Sequence, residues 1–218
     1  MGVSFLATGN YRAALTNFLQ AKKIRDDDPV LYNSLGLAYL GLGDLKDAER
    51  SFKKAIELKP DYSEAHNNLG VTYSQEGYYH LAIKEFNKAL SNLLYATPEQ
   101  ALVNMGWAYY KLGEYIKAEN YTKQALLRNP RMCMARKNLG LIYWAEQRLM
   151  DAETQLKKAI FYCPRFAEAY FNLGLLYIKL NRKEEAYKQF KKVTEVAPDT
   201  PIAEEAEKYL KLLGGKSG

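Results

Sequence analysis

Small and apolar residues recur along this chain at one fixed interval, with polar stretches between them. Gly36, Gly70, Gly106, Gly140 and Gly174 stand 34, 36, 34 and 34 residues apart. Three residues past each glycine comes a tyrosine (Tyr39, Tyr73, Tyr109, Tyr143, Tyr177), and twelve past it an alanine (Ala48, Ala82, Ala118, Ala152, Ala186). With the glycine as position 8 of a 34-residue unit, position 7 reads Leu35, Leu69, Met105, Leu139 and Leu173. Position 27 reads Ala55, Ala89, Ala125, Ala159 and Val193, and proline fills position 32 at Pro60, Pro130, Pro164 and Pro198. Such a period predicts an array of helix pairs, A and B, each burying its apolar face only by stacking on the next. The small residues at 8 and 20 are expected to face one another where A and B cross, and the tyrosine at 11 and the alanine at 27 to bury against the neighbouring pair. Proline at 32 lacks an amide donor and ends helix B. Asp28-Pro29, Thr97-Pro98 and Thr200-Pro201 place a capping side chain before a first-turn proline, with Gln100 completing a capping box after Thr97.

These residues resemble the tetratricopeptide repeat, whose pattern has a large residue at 4, Leu-Gly at 7 and 8, Tyr at 11, Ala at 20, an aromatic at 24, Ala at 27 and Pro at 32. The departures are at position 4 (Tyr32, His66, Leu102, Arg136, Tyr170) and at position 24, which holds Thr122 and Leu156 in two repeats. The resemblance implies an all-α, right-handed superhelical solenoid of antiparallel helix pairs, with about six repeats in a single domain over 1–213. Full repeats are expected at 29–62, 63–98, 99–132, 133–166 and 167–200. A partial repeat at 1–28 lacks the first half of its helix A, so the register expects residues upstream. A capping helix over 201–213 covers the last repeat, and 214–218 reads as a flexible tail.

Composition narrows the function. The net charge of +6 and isoelectric point near 9.0 raise nucleic acid as a partner. The lysine pairs at 53–54, 157–158 and 191–192 fall on helix B, the outer face, beside glutamates, which favours a solvated surface over a phosphate-binding stripe. No apolar run approaches the ~18 residues of a membrane span. His66 and His80 have no partner at metal-ligand spacing, and no nucleophile–base or phosphate-loop motif is present, so neither catalytic residues, metal nor cofactor is expected. Cys133 at position 1 and Cys163 at position 31 of one repeat fall at the same end of an antiparallel hairpin. They form a disulfide or remain two partly buried thiols, and a bridge implies an oxidising compartment.

In a tetratricopeptide array helix A lines the concave side, with positions 2, 5, 6, 9, 12 and 13 toward the groove. Those positions supply Leu37, Leu40, Val71, Val103, Trp107, Tyr110, Leu141, Trp144, Phe171, Leu175 and Ile178, an apolar set suited to a protein or peptide partner. Position 6 carries Asn68, Asn104, Asn138 and Asn172, which either pair with the main chain of an extended peptide or brace neighbouring helices. Position 9 is apolar throughout, against the carboxylate clamp of co-chaperones.

The 63–98 repeat is two residues longer, with Leu93-Leu94-Tyr95-Ala96-Thr97-Pro98-Glu99 in place of the proline at 32, followed by Asn104-Met105-Gly106. This loop and the repeat count resemble the type IV pilus biogenesis lipoproteins, the pilotins. The resemblance implies a monomeric scaffold at the periplasmic face of the outer membrane that binds secretin subunits and promotes their assembly. Membrane attachment would come only through an N-terminal lipid anchor not carried on these residues. A cytoplasmic adaptor in a signalling or enzyme complex and a helical-repeat RNA binder are the alternatives.

Overall fold

The computed structural model describes residues 2–214, and all regular structure among them is helical. The expected tail at 214–218 falls outside this range beyond Gly214, which ends the last helix. The helices are α1 (Gly2–Ala7), α2 (Tyr11–Ile24), α3 (Pro29–Leu42), α4 (Leu45–Leu58), α5 (Ser63–Gln75), α6 (Tyr79–Ser91), α7 (Pro98–Lys111), α8 (Tyr115–Arg128), α9 (Cys133–Ala145), α10 (Leu149–Tyr162), α11 (Ala167–Lys179), α12 (Lys183–Val196) and α13 (Pro201–Gly214). They fall into two compact units, Met1–Gly113 and Glu114–Gly218. In unit 1 each helix packs on the next from α1 to α7, and the A helices α1, α3, α5 and α7 also pack serially. In unit 2 the sequence from α8 to α13 does the same, with α9, α11 and α13 as its inner series. This is the tetratricopeptide solenoid pattern.

Stops and starts follow local chemistry. Helices α4, α8, α10 and α12 each end two residues before a proline, whose ring disfavours helical backbone in the residue ahead of it. Asp28 accepts from the Val30 amide at 2.8 Å, and Thr200 accepts from Ala203 at 3.4 Å. Thr97 departs from expectation: its side chain makes no cap bond and engages the Tyr95 phenol instead. Tyr95 is buried against Ala89 and Ala101, so it plugs the enlarged α6–α7 loop while Leu93 and Leu94 project into solvent.

The close approach inside each hairpin differs from the expected pairing of positions 8 and 20. A methyl group on Gly36 would lie 2.5 Å from the Phe52 ring, and one on Gly70 would lie 2.5 Å from Phe86. Gly174 meets Phe190 and Gly140 meets Leu156 in the same way. Position 8 is therefore the floor on which the large residue at 24 lies. The alanines at 20 are fully buried beside it, and at Gly140 the nearest backbone atom is the Ala152 carbonyl, 3.3 Å from an added methyl.

Candidate functional site: an apolar trough in unit 1

Two hollows lie on the inner helices of unit 1. The first, about 570 Å³, is lined by Val3, Leu6, Ala7, Tyr11, Leu37, Leu40, Gly41 and Gln75. The second, about 310 Å³, is lined by Val71, Ser74, Gln75, Tyr79, Phe86, Asn104, Trp107 and Lys111. Gln75 borders both, so they read as one trough. Leu37, Leu40, Val71 and Trp107 stand in its walls and are half-buried, which leaves them area to give to a ligand. Among the lining residues only Lys111 is charged. Its ammonium sits 5.1 Å from the centre of the Trp107 ring, and Trp107 stacks on Tyr110 at 5.0 Å between centroids.

Tyr11 and Tyr79 were not legible as wall residues because they come from B helices. The available signal was position 17, where Tyr11, Tyr79 and Tyr115 share one register. Gly41 is what admits the first of them, since a methyl group there would come within 2.3 Å of the Tyr11 ring.

Two of the four asparagines brace neighbouring helices through their N–H groups. Asn68 donates to the Asn33 carbonyl oxygen at 3.0 Å, and Asn104 donates to that of Asn67 at 3.1 Å. Each bond ties the position 6 amide to position 5 of the preceding A helix. In unit 2 Asn172 turns back onto its own helix, donating to the Glu168 carbonyl at 2.7 Å. Asn138 is buried, and its side-chain oxygen has no hydrogen-bond partner among the described residues. Of the two expectations for this row, Asn68 and Asn104 follow the bracing one, and Asn172 bonds within its own helix.

Two apolar groove residues are also corrected. Position 5 lies in the seam between A helices, as the Asn33 pairing shows, and Val103 in that register is only 3% exposed. Phe171 is 8% exposed because α13 lies over it: the ring meets Phe190 and Tyr209 edge-on at 5.5 and 5.8 Å. Neither offers surface to a partner. Leu141, Trp144 and Leu175 are half-buried in unit 2, and Ile178 is exposed. The same seam there carries an ion pair, Lys137 to Glu168 at 2.8 Å.

Three recurring clusters escaped the sequence reading. The position 11 tyrosine donates to the glutamate at position 21 of the preceding B helix: Tyr73 to Glu49 at 3.2 Å, Tyr143 to Glu119 at 3.2 Å, Tyr177 to Glu153 at 3.0 Å. A lysine one turn on pairs with each glutamate. In unit 2 alone an arginine joins, Arg148 to Glu119 at 3.1 Å and Arg182 to Glu153 at 2.7 Å. Partial burial pushes the Glu119 and Glu153 carboxyls upward, but the lysine, arginine and tyrosine donors outweigh it and hold both below the usual carboxylate range. Glu85 of unit 1 is held low in the same sense, its burial overcome by His66 at 2.7 Å and Lys88 at 2.9 Å. Cys133 and Cys163 are joined as a disulfide, with their Cα atoms 6.2 Å apart.

Tetratricopeptide-repeat profiles match residues 29–62, 99–132 and 167–200, with further matches over 2–43, 51–90 and 140–181. The chain belongs to the tetratricopeptide repeat family. Proteins of this family are typically non-enzymatic interaction scaffolds that bind protein or peptide partners, and this chain has the fold of a tetratricopeptide protein-interaction scaffold. No curated protein matches it by sequence. Among solved structures it is similar to PilW, a widely conserved type IV pilus biogenesis factor, at 24% identity over 94% of each chain with a TM-score of 0.82. It is also similar to Pseudomonas aeruginosa PilF, at 16% identity over 95% of this chain and 93% of the other, TM-score 0.75. A third neighbour is YrrB, a tetratricopeptide protein with an unusual peptide-binding site, at 25% identity over 88% of this chain and 97% of the other, TM-score 0.57. No described helix is long and apolar enough to cross a membrane.

Proposed function

We propose that this chain is a pilotin-like scaffold of type IV pilus biogenesis that holds an apolar segment of a secretin-like subunit in the trough of unit 1. The observation that carries the reading is the trough itself, apolar along Leu37, Leu40, Val71 and Trp107, with Lys111 as its one charge. Burying apolar surface drives such binding, and an indole anchor concentrates it. Similarity to PilW and PilF over more than nine-tenths of each chain supports a role in type IV pilus biogenesis. The disulfide supports the periplasmic face of the outer membrane over a reducing cytoplasm. Calorimetry with a purified secretin subunit tests the reading. Trp107→Ala is expected to weaken binding about 30-fold or more while the circular dichroism spectrum stays unchanged. Trp144→Ala in unit 2 reports whether that indole adds to the site. Undiminished capture by the Trp107 variant would falsify the trough as the site.

A further inference from the structure

The turns that lead from B to A helices differ in chemistry along the chain. Those after α2, α4 and α12 carry aspartates: Asp26, Asp27 and Asp28, then Asp61, then Asp199. The two after α8 and α10 carry none. Over residues 126–137 the charged groups are Arg128, Arg131, Arg136 and Lys137, and over 160–167 the only one is Arg165. Arg136 is occupied by the Pro130 carbonyl and Gln155, and Lys137 by Glu168. Arg128, Arg131 and Arg165 are exposed and enter no ion pair among the described residues.

Apolar groups project from the same place. Leu127 is 83% exposed and Phe161 is 76% exposed, and both occupy position 29 of successive repeats, so they leave the stack in the same register. The turns that follow them line an open apolar hollow of about 540 Å³ between Cys133, Met134, Cys163, Pro164 and Phe166, edged by Arg165. The Cys133–Cys163 bond ties the start of α9 to the turn after α10 and so fixes these two turns against each other.

We propose that this disulfide-locked pair of turns is a docking face for an anionic lipid surface. An anionic headgroup layer offers phosphates to several guanidiniums at once, which suits three cations that no side chain among the described residues neutralises. Here protruding aliphatic and aromatic side chains stand with three unpaired guanidiniums, and the carboxylate that borders them, Glu168, is held by Lys137, an arrangement suited to a surface-lying membrane contact. The guanidiniums meet headgroup phosphates while Leu127 and Phe161 enter the acyl boundary. The inference does not rest on the trough or on its partner.

The test is flotation of the intact, oxidised chain with vesicles of phosphatidylglycerol in phosphatidylethanolamine, against vesicles of phosphatidylcholine alone. The chain is expected to float with the anionic vesicles, to be released by added salt, and to ignore the neutral ones. Combining Arg128→Glu, Arg131→Glu and Arg165→Glu should lower partitioning about 100-fold or more, at about fivefold for each cation removed. Leu127→Ser with Phe161→Ser should lower it at least about tenfold. All five side chains are exposed, and an unchanged melting curve in each variant confirms that folding is intact. Equal flotation with both vesicle types, none with either, or an unaffected arginine variant overturns the proposal. Binding of an alternating glutamate–phenylalanine peptide at this face, without vesicle binding, would overturn it in favour of a protein interface.

Discussion

In unit 1 the seams between inner helices are closed by neutral amides, Asn68 to Asn33 and Asn104 to Asn67, while in unit 2 the same seam is closed by Lys137 against Glu168. The outer seams differ as well. Unit 1 has Tyr73, Glu49 and Lys53, and unit 2 adds an arginine to each of two such clusters and a disulfide besides. One backbone repeat therefore accepts two ways of fastening. Amide pairs leave the inner seam uncharged, so that Lys111 is the one charge on the trough, which suits unit 1 to an apolar ligand. Charge clusters and a covalent tie hold unit 2 without keeping its inner seam neutral.

Removing the covalent tie should give the largest separation between the units. The bridge spans 30 residues, and closing a loop of that length restricts the unfolded chain by about 3–4 kcal/mol. Reduction, or Cys133→Ala with Cys163→Ala, should therefore destabilise unit 2 by about that amount. Hydrogen exchange followed residue by residue should show faster exchange across α9 and α10, with α3 to α6 little changed. Equal acceleration in both units would mean that they unfold as one body, and the comparison would fail.

Packing beneath the position 24 side chain should discriminate next. Gly70→Ala drives a methyl group into the buried Phe86 ring, at a cost of about 2 kcal/mol. Gly140→Ala meets the Leu156 Cγ at 2.9 Å and the Ala152 carbonyl at 3.3 Å, looser contacts than the 2.5 Å at Gly70, and the gain in helix propensity of about 1 kcal/mol offsets much of the strain. Urea denaturation of the two variants measures the difference. A Gly140 variant as damaged as the Gly70 variant would show that Leu156 has no room to move.

The repeat itself was legible because glycine at 8 and proline at 32 each answer a local demand, close approach in one case and chain termination in the other. The partner of the glycine was not, since position 20 and position 24 both lie one turn from the crossing and only packing decides which covers it. Exposure at the site was harder. Leu37 and Val103 are alike as letters on helix A, but position 9 faces the hollow and position 5 faces the seam. Phe171 depends on α13, an element outside the repeat. The glutamates at position 21 were visible at regular spacing, yet reading them as solvated charges hid the tyrosine that each one binds.

Acid should separate the units by a smaller margin. Glu119 and Glu153 in unit 2 and Glu85 in unit 1 all have folded-state values held low. A depressed carboxyl adds stability that is present above the unfolded value, near ~4.3, and is lost as pH falls through the folded value. Unit 2, with two such partly buried groups and the more exposed Glu185 and Glu195 also held low by Arg182 and Lys192, should lose more stability than unit 1 in that window. Glu153→Gln should cost about 1–2 kcal/mol at neutral pH and little once acid has protonated the native carboxyl. A constant cost across the titration would show that the Glu153 cluster acts by shape and not by charge.

The smallest effect carries the sharpest sign. Asn68 and Asn138 share position 6, but Asn68 donates across the seam to Asn33, whereas the Asn138 carbonyl oxygen is buried with no partner among the described residues. Replacing Asn68 by leucine breaks a hydrogen bond and leaves the Asn33 oxygen without its donor, a loss of about 1 kcal/mol. Replacing Asn138 by leucine removes a desolvated oxygen and supplies a side chain of similar volume, so the change should be neutral or stabilising by up to about 1 kcal/mol. Thermal melts of the two variants should move in opposite directions. A loss at Asn138 equal to that at Asn68 would mean that a bound water satisfies the buried oxygen, and position 6 would then brace both units alike.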